Sequence, residues 1–475
     1  MKKLSPFTNV PSTMNHVSDS APSIKKRSVA QEVRPVRSTN NRLRTLSVIL
    51  GLVLVLINIL ILFVIIPSAS SQMGGLYNEN RYADGYDQLA ANLAAGNGYR
   101  FYPDTAQTLM REPGYPLLLA GIYKVFGNSF VFVKLANLML AFGVAYLMTL
   151  IARMVSTSRL LVWGAPLLFL LHPETLVAES RGGVEILFAF MLTLYVFTAY
   201  RAAKTDRWRD YVISGAALGA TLLVRSTPIL FPVLLFGYFA FTERKGKALL
   251  RLVQQFVLVV ASMFFVISPW IIRNYQLTQK FVPTASVLGV AAQTGFYLST
   301  HHEIGNVQMD WQAALERNRV AQELGYPFRA GYYQSFYSPS DELAFSQYLF
   351  RRVVREYEAS PTLFLKTLTV NFFKFWCGGK TGKSVAIDAI IQFPFLGFAI
   401  AGVILCIKAG RAKIVAPLAL LCAYIVSVSL PILAQARYGE PLVPFMSILV
   451  AIAVLGLRKR LSGNDKQYAV SEIVL

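Results

Sequence analysis

The sequence predicts an all-α protein that passes through a membrane many times, and three observations carry that prediction. Hydrophobic residues make up 55% of the chain and charged residues only 15%, whereas soluble chains carry about 25% charged residues. The apolar residues come in long blocks rather than in alternation, and many blocks approach the ~20 residues that cross a ~30 Å hydrocarbon core. Basic residues cluster at the ends of those blocks on alternate connections, as retention of Lys and Arg in the cytoplasm requires.

Taken in order, the chain opens on a tail (1–45) with nine Lys or Arg against two acids. Its Ser, Pro and Asn content buries too little apolar surface to fold and suits anionic lipid. The tail is too polar for a secretory signal, and the block after it is too long for a signal's apolar core. About ten spans are expected, near 46–66, 130–152, 158–174, 183–200, 211–226, 228–242, 250–271, 386–407, 413–433 and 441–457. Basic clusters at Arg153 and Arg159, Arg201 to Arg209, Arg244 to Arg251, Lys408 to Lys413 and Arg458 to Arg460 put both termini in the cytoplasm. The net charge of +21 is then largely a topology signal. A nucleic-acid partner needs such charge gathered on one soluble face, so none is expected. The resulting organisation is a membrane module at 46–272 with a first outer loop at 67–128, a second outer loop at 273–383, C-terminal spans at 384–457 and a tail at 458–475.

Metal and nucleotide chemistry find little support. Cys377, Cys406 and Cys422 have no metal-type spacing, and CxxC, HExxH and glycine-rich phosphate loops are absent from the sequence. His301, His302 and Glu303 are adjacent in sequence, which makes it hard for both histidines to face one ion, so a polar loop is the plainer reading. His172, before Pro173, reads as a structural or interfacial histidine.

The outer loops hold the chemistry. Tyr82, Tyr86, Leu89, Ala90 and Leu93 follow one helix face, and Gly96-Asn97-Gly98 supplies a stop, predicting a helix on the membrane surface. Asp84 and Asp87 share the polar side near its start, either as reactive carboxylates or as a capping box. Arg111-Glu112-Pro113-Gly114-Tyr115-Pro116 precedes an apolar segment too short to span, which reads as a re-entrant or surface helix. Arg111, Arg225, Arg273 and Arg437 lie at outer ends of spans or just beyond, against the positive-inside trend. Each alone reads as a snorkelling anchor or ion-pair partner; together they are candidates to hold a phosphate. Glu112 stands ready to pair with Arg111, and Glu174, Glu179 and Glu185 to bind sugar hydroxyls or balance the arginines. In the second loop, Asp341 to Glu358 and Pro361 to Trp376 are expected helices, the latter aromatic and interfacial.

These pieces resemble the polytopic GT-C glycosyltransferases, in particular the protein O-mannosyltransferases and the bacterial lipid A aminoarabinose and galacturonic acid transferases. The matching residues are the acidic motif with Tyr86, Leu89-Ala90, Asn92-Leu93 and Gly96 to Tyr99, then Arg111 to Pro116, His172-Pro173-Glu174, Pro269 to Tyr275 and Arg437 to Leu442. The resemblance implies a GT-C-like bundle with outer-face juxtamembrane helices and a small helical outer loop region. It implies a polyprenyl-phosphate sugar as donor, a glycan, lipid or protein as acceptor, inverting transfer among membrane lipids, and no metal or other cofactor. A bacterial plasma membrane is the expected location. The acid of the first loop would take the acceptor's proton or orient its hydroxyl, a role worth ~10²–10⁴ in rate. In that family the acid commonly stands four residues before the tyrosine that Tyr86 matches, where this chain has Tyr82. Asp84 stands only two before Tyr86, so the carry-over needs a small gap; Asp84 is the first choice, and Asp87 stays open. Arg111, Glu112, Tyr115, Glu174, Glu185, Arg225, Arg273 and Arg437 form the expected binding set. A polysaccharide polymerase or ligase using polyprenyl-linked glycans is the nearest alternative. A lipid or sugar transporter is more distant, since it predicts paired repeats and midplane charges.

Overall fold

A computed structural model of the protein describes residues 51–68, 83–243, 246–301, 308–331, 333–377 and 382–461. Both tails, Tyr82, His302 and Glu303 lie outside the described residues. The chain divides after Val55, and the unit from Leu56 onward holds the bundle described here.

The helices follow the apolar blocks. In order they are α1 (Gly51–Ser68), α2 (Tyr86–Ala94), α3 (Gly114–Phe126), α4 (Phe130–Val155), α5 (Arg159–Leu170) and α6 (Pro173–Ser180). Next come α7 (Glu185–Thr205), α8 (Trp208–Val224), α9 (Phe231–Glu243) and α10 (Gly246–Thr278). The second long connection carries α11 (Leu288–Thr300), α12 (Gln308–Glu323), a two-residue antiparallel ladder of β1 (Phe328–Arg329) with β2 (Ser335–Phe336), α13 (Pro339–Ala359) and α14 (Pro361–Cys377). The chain returns to the bundle with α15 (Gly382–Lys408), α16 (Ala412–Ser429) and α17 (Val443–Leu461).

The described chain is a polytopic helical membrane protein, with fewer full-length spans than the ten expected. Seven helices are long and apolar enough to cross a membrane, or up to eight if α5 and α6, bent by 49°, form one span. The shortfall is at α5, α8 and α9, which have 12, 17 and 13 residues. His172-Pro173 breaks the first, and the Arg225-Ser226-Thr227-Pro228 turn separates the other two. Of the second loop, α13 and α14 match their expected ranges, whereas α11, α12 and the ladder carry no strong apolar rhythm. Helix α10 runs on to Thr278 and takes Arg273 into the helix rather than into a loop.

Two features fix the parts that bear on function. Helix α8 seats on α10 through Gly215 and Gly219, small residues four apart that let backbones approach closely. A Cβ at Gly219 would lie 2.7 Å from the Met263 carbonyl oxygen and 2.8 Å from Val266 Cβ. At its end, the Leu223 carbonyl and the Val224 side chain abut Gly114 at the start of α3, each 2.8 Å from where a Cβ would stand. This seat determines where Arg225 emerges.

The second feature is Glu342, buried in the first turn of α13. Its carboxylate accepts from the Thr108 hydroxyl at 2.6 Å, the Leu109 N–H at 2.9 Å and the Ser286 hydroxyl at 2.6 Å. It thus staples the first connection to the second. Burial pushes the Glu342 carboxyl up, and the three donors act against that rise. Glu342→Ala leaves those donors without their acceptor and is expected to cost about 3 kcal/mol, read as a lowered unfolding temperature in detergent; Glu342→Gln, which keeps one acceptor oxygen, should lose less.

Candidate active site

The chain enters α2 through two consecutive left-handed residues, Asp84 (φ 67°) and Gly85 (φ 74°). Aspartate is among the few side-chain-bearing residues that adopt this conformation. At Gly85 even a methyl is excluded, because a Cβ would stand 2.5 Å from a ring carbon of Phe101. The turn separates the two acids that the sequence groups on one side. Asp87 points inward, 8% exposed, and accepts a hydrogen bond from the Tyr123 hydroxyl of α3. Asp84 turns the other way, and no side chain caps α2. The capping-box alternative is therefore not what the protein builds.

Asp84 is held by two arginines distant in sequence. Arg437, in a single turn of 3₁₀-helix before α17, donates from Nη1 to Oδ2 and from Nη2 to Oδ1, the latter at 3.1 Å. Arg111 places Nη2 3.5 Å from Oδ1 and donates from Nε to the Asp84 carbonyl oxygen at 3.1 Å. The three side chains are only 17–22% exposed. Burial alone would raise the Asp84 carboxyl, but Arg437 and Arg111 outweigh it and hold it at about 2, below its ordinary 3.8.

More charge surrounds this clasp. Arg437 Nη1 lies 4.0 Å from Oε1 of Glu185, 3% exposed in the first turn of α7. Its Nε donates to Gln435 at 2.7 Å. Glu440, equally buried, accepts from Arg181 at 3.1 Å, and its second oxygen has no partner among the described residues. Arg225 emerges from the end of α8 with its guanidinium 4.1 Å from the Tyr438 ring centroid and 5.7 Å from that of Phe188. Among the described residues its side chain has no carboxylate or hydrogen-bond partner, yet its charge reaches Asp84. The aromatic faces supply part of what an anion would.

Other expected site residues have different places. Glu112 does not pair with Arg111: its Oε1 accepts the Ser226 N–H at 3.0 Å, tying α3 to the turn beside Arg225. Tyr115 is buried edge-on to Tyr86 at 5.2 Å, its hydroxyl without a partner among the described residues. Arg273 stands apart from Asp84. It stacks over Trp270 at 4.4 Å and Tyr99 at 5.2 Å, and donates to Gln107 and to the Thr108 carbonyl, each at 3.1 Å. It therefore pins the first connection to α10, and its contacts there are with Gln107, Thr108 and two aromatic rings rather than with the Asp84 clasp. His172 caps α6, its Nδ1 accepting the Glu174 N–H at 3.3 Å. Glu174 sits in that first helical turn, and Glu179 is fully buried with both carboxyl oxygens unpartnered among the described residues. His301 stacks on Tyr297 at 4.0 Å. Among the described residues no three His, Cys, Asp or Glu side chains gather as a metal set.

Sequence reading missed Arg181 and Asp310 and left Glu440 unremarked within the Arg437 to Leu442 motif. Arg181 finds its partner 259 positions away, and Asp310 lies on a helix that no apolar rhythm announces.

A helical membrane bundle with a cation-rich site on its connections is what the class of polytopic GT-C glycosyltransferases would present. The model of the dolichyl-phosphate-mannose-protein mannosyltransferase family matches residues 110–272, a stretch containing Arg111, Glu112, Tyr115 and Arg225. The match supports that class and, with it, a membrane glycosyltransferase that uses a polyprenyl-phosphate sugar. No curated protein and no solved structure matches the chain.

The clasp has a signature in acid. A carboxyl held below its ordinary value contributes stability in full above about pH 4, and loses it as pH falls through about 2. The difference in unfolding temperature between wild type and Asp84→Asn should therefore stay constant from neutral pH to about pH 5 and shrink below about pH 4.

Proposed function

We propose that the chain transfers a sugar from a polyprenyl-phosphate donor to an acceptor hydroxyl at the Asp84 site, on the membrane face opposite its cytoplasmic termini. The observation that carries this is the excess of guanidinium groups at one carboxylate: Arg437 and Arg111 on Asp84, with Arg225 beside them on an aromatic face. A buried cation calls for an anion, and forked guanidinium donors suit phosphate. The donor phosphate takes the arginines, and their turn toward it loosens their hold on Asp84. The carboxyl then rises from its low resting value and becomes a competent base only when donor is bound.

In the transfer, the acceptor oxygen bonds to the anomeric carbon as that carbon's bond to the phosphate oxygen breaks. The hydroxyl proton goes to Asp84, and the electron pair leaves with the polyprenyl phosphate, whose charge the arginines stabilise. A single displacement of this kind inverts the anomeric centre. Asp87 plays no part, being buried against Tyr123. A bacterial plasma membrane fits the basic clusters, and glycan, lipid and protein acceptors all fit a site built on loops.

The test uses the purified full-length protein in liposomes with undecaprenyl-phosphate mannose as donor. Asp84→Asn is expected to lose about 10²-fold or more in kcat, Arg225→Gln to raise the donor KM about tenfold with a smaller effect on kcat, and Asp87→Asn to keep most of the activity. Full activity in Asp84→Asn overturns the role given to that residue. Activity from a nucleotide sugar with none from the lipid donor overturns the class of reaction.

A further inference from the structure

The second connection brings one more acid to the edge of this site. Asp310 stands in the first turn of α12, and the packing of three elements places that turn. Arg317, two turns on, donates to Gln293 at 3.2 Å and Thr294 at 2.7 Å of α11, and Gln312 meets the Tyr297 hydroxyl at 3.5 Å. The Leu298 carbonyl of α11 in turn accepts from Lys374 Nζ of α14 at 2.8 Å. Phe375, the next residue, packs against Gly439 with a ring carbon 3.4 Å from where a Cβ would stand, just past Arg437 and Tyr438. The start of α12 is thus carried to the turn that supplies Arg437. The charges acting on Asp310 agree, being those of Arg437, Asp84, Arg317 and Lys374.

Asp310 is also unlike the acids already paired around the clasp. Asp84 is clasped by arginines, Asp87 bonded to Tyr123, Glu112 to the Ser226 amide and Glu440 to Arg181. Asp310 is only partly buried and has no hydrogen bond or ion pair among the described residues. A polar group left without a partner at the edge of a site is available to a ligand. Burial pushes its carboxyl up, in contrast to Asp84.

We propose that Asp310 is the acceptor-side carboxylate of this site, accepting a hydrogen bond from the acceptor's nucleophilic hydroxyl and setting its oxygen in line between Asp310 and Asp84. The proposal rests on the donor reading above. It divides the site into a phosphate half, made by Arg111, Arg225 and Arg437, and an acceptor half supplied by the second connection. It also restricts the acceptor: the group entering there presents a neutral hydroxyl, because two carboxylates repel a phosphate or carboxylate at that point.

The experiment uses the full chain in liposomes with undecaprenyl-phosphate mannose as donor and glycerol as the acceptor probe, with release of free mannose reporting hydrolysis of the donor. Asp310→Asn is expected to lower kcat/KM for glycerol about tenfold or more with the donor KM unchanged, and Asp310→Glu to recover part of it. A merely structural residue would move both KM values or lower the yield of folded protein in both variants. Unchanged glycerol kinetics in Asp310→Asn, or a donor KM raised as far as in Arg225→Gln, overturns the assignment while leaving the donor reading intact. A wild-type protein that neither transfers nor hydrolyses the lipid donor overturns the donor reading, and this one with it.

Discussion

The rest of the site depends on one ion pair, the clasp of Asp84 by Arg437 and Arg111. It joins residues from the start of α2, the approach to α3 and the turn before α17, so three distant parts of the chain meet at one carboxylate. Removing one partner from a largely buried pair of this kind costs about 3–5 kcal/mol, because the remaining charge is stranded. That cost explains why the surroundings are so constrained. Gly85 must be glycine against Phe101, Arg437 is steadied by Gln435, and Glu185 lies at the back of its guanidinium.

The clasp bears on chemistry through its strength. A carboxylate at about 2 is a weak base at neutral pH, so in the proposed reaction Asp84 waits on the donor. On that proposal a bound phosphate competes for the same guanidinium groups and ties proton removal to donor occupancy. In that proposal Arg225 has an advantage: held on Tyr438 and Phe188, it has no carboxylate among the described residues to give up before meeting an anion.

Much of the fold was legible in the sequence because hydropathy blocks respond to the membrane itself, which acts on every residue alike. The stop at Gly96, the short helix after Arg111 and the helices α13 and α14 follow from local rules of the same kind. The site was legible only in part. Hydropathy places a residue near a membrane face but does not say which way round the bundle it points. Arg111, Arg225 and Arg437 therefore converge as expected while Arg273 turns to Gln107 and Thr108. Asp84 and Asp87 share a side on an ideal helix and part only because 84 and 85 are left-handed. Glu112 looked bound for its neighbour Arg111 and instead found a backbone amide 114 positions away. Such pairings are properties of the folded chain, not of any window along it.

The seat of α8 on α10 has a consequence of a different kind. Arg225 is aimed by the absence of side chains at Gly215 and Gly219, so what must be inherited for the cation to stay in place is smallness, not charge. Drift at these positions is bounded by volume, and a larger residue at either can be tolerated only if Ser262, Val266 or the backbone around Val259 retreats with it. The steric ruler and the cation it places thus form one evolving unit, though only the cation looks chemical.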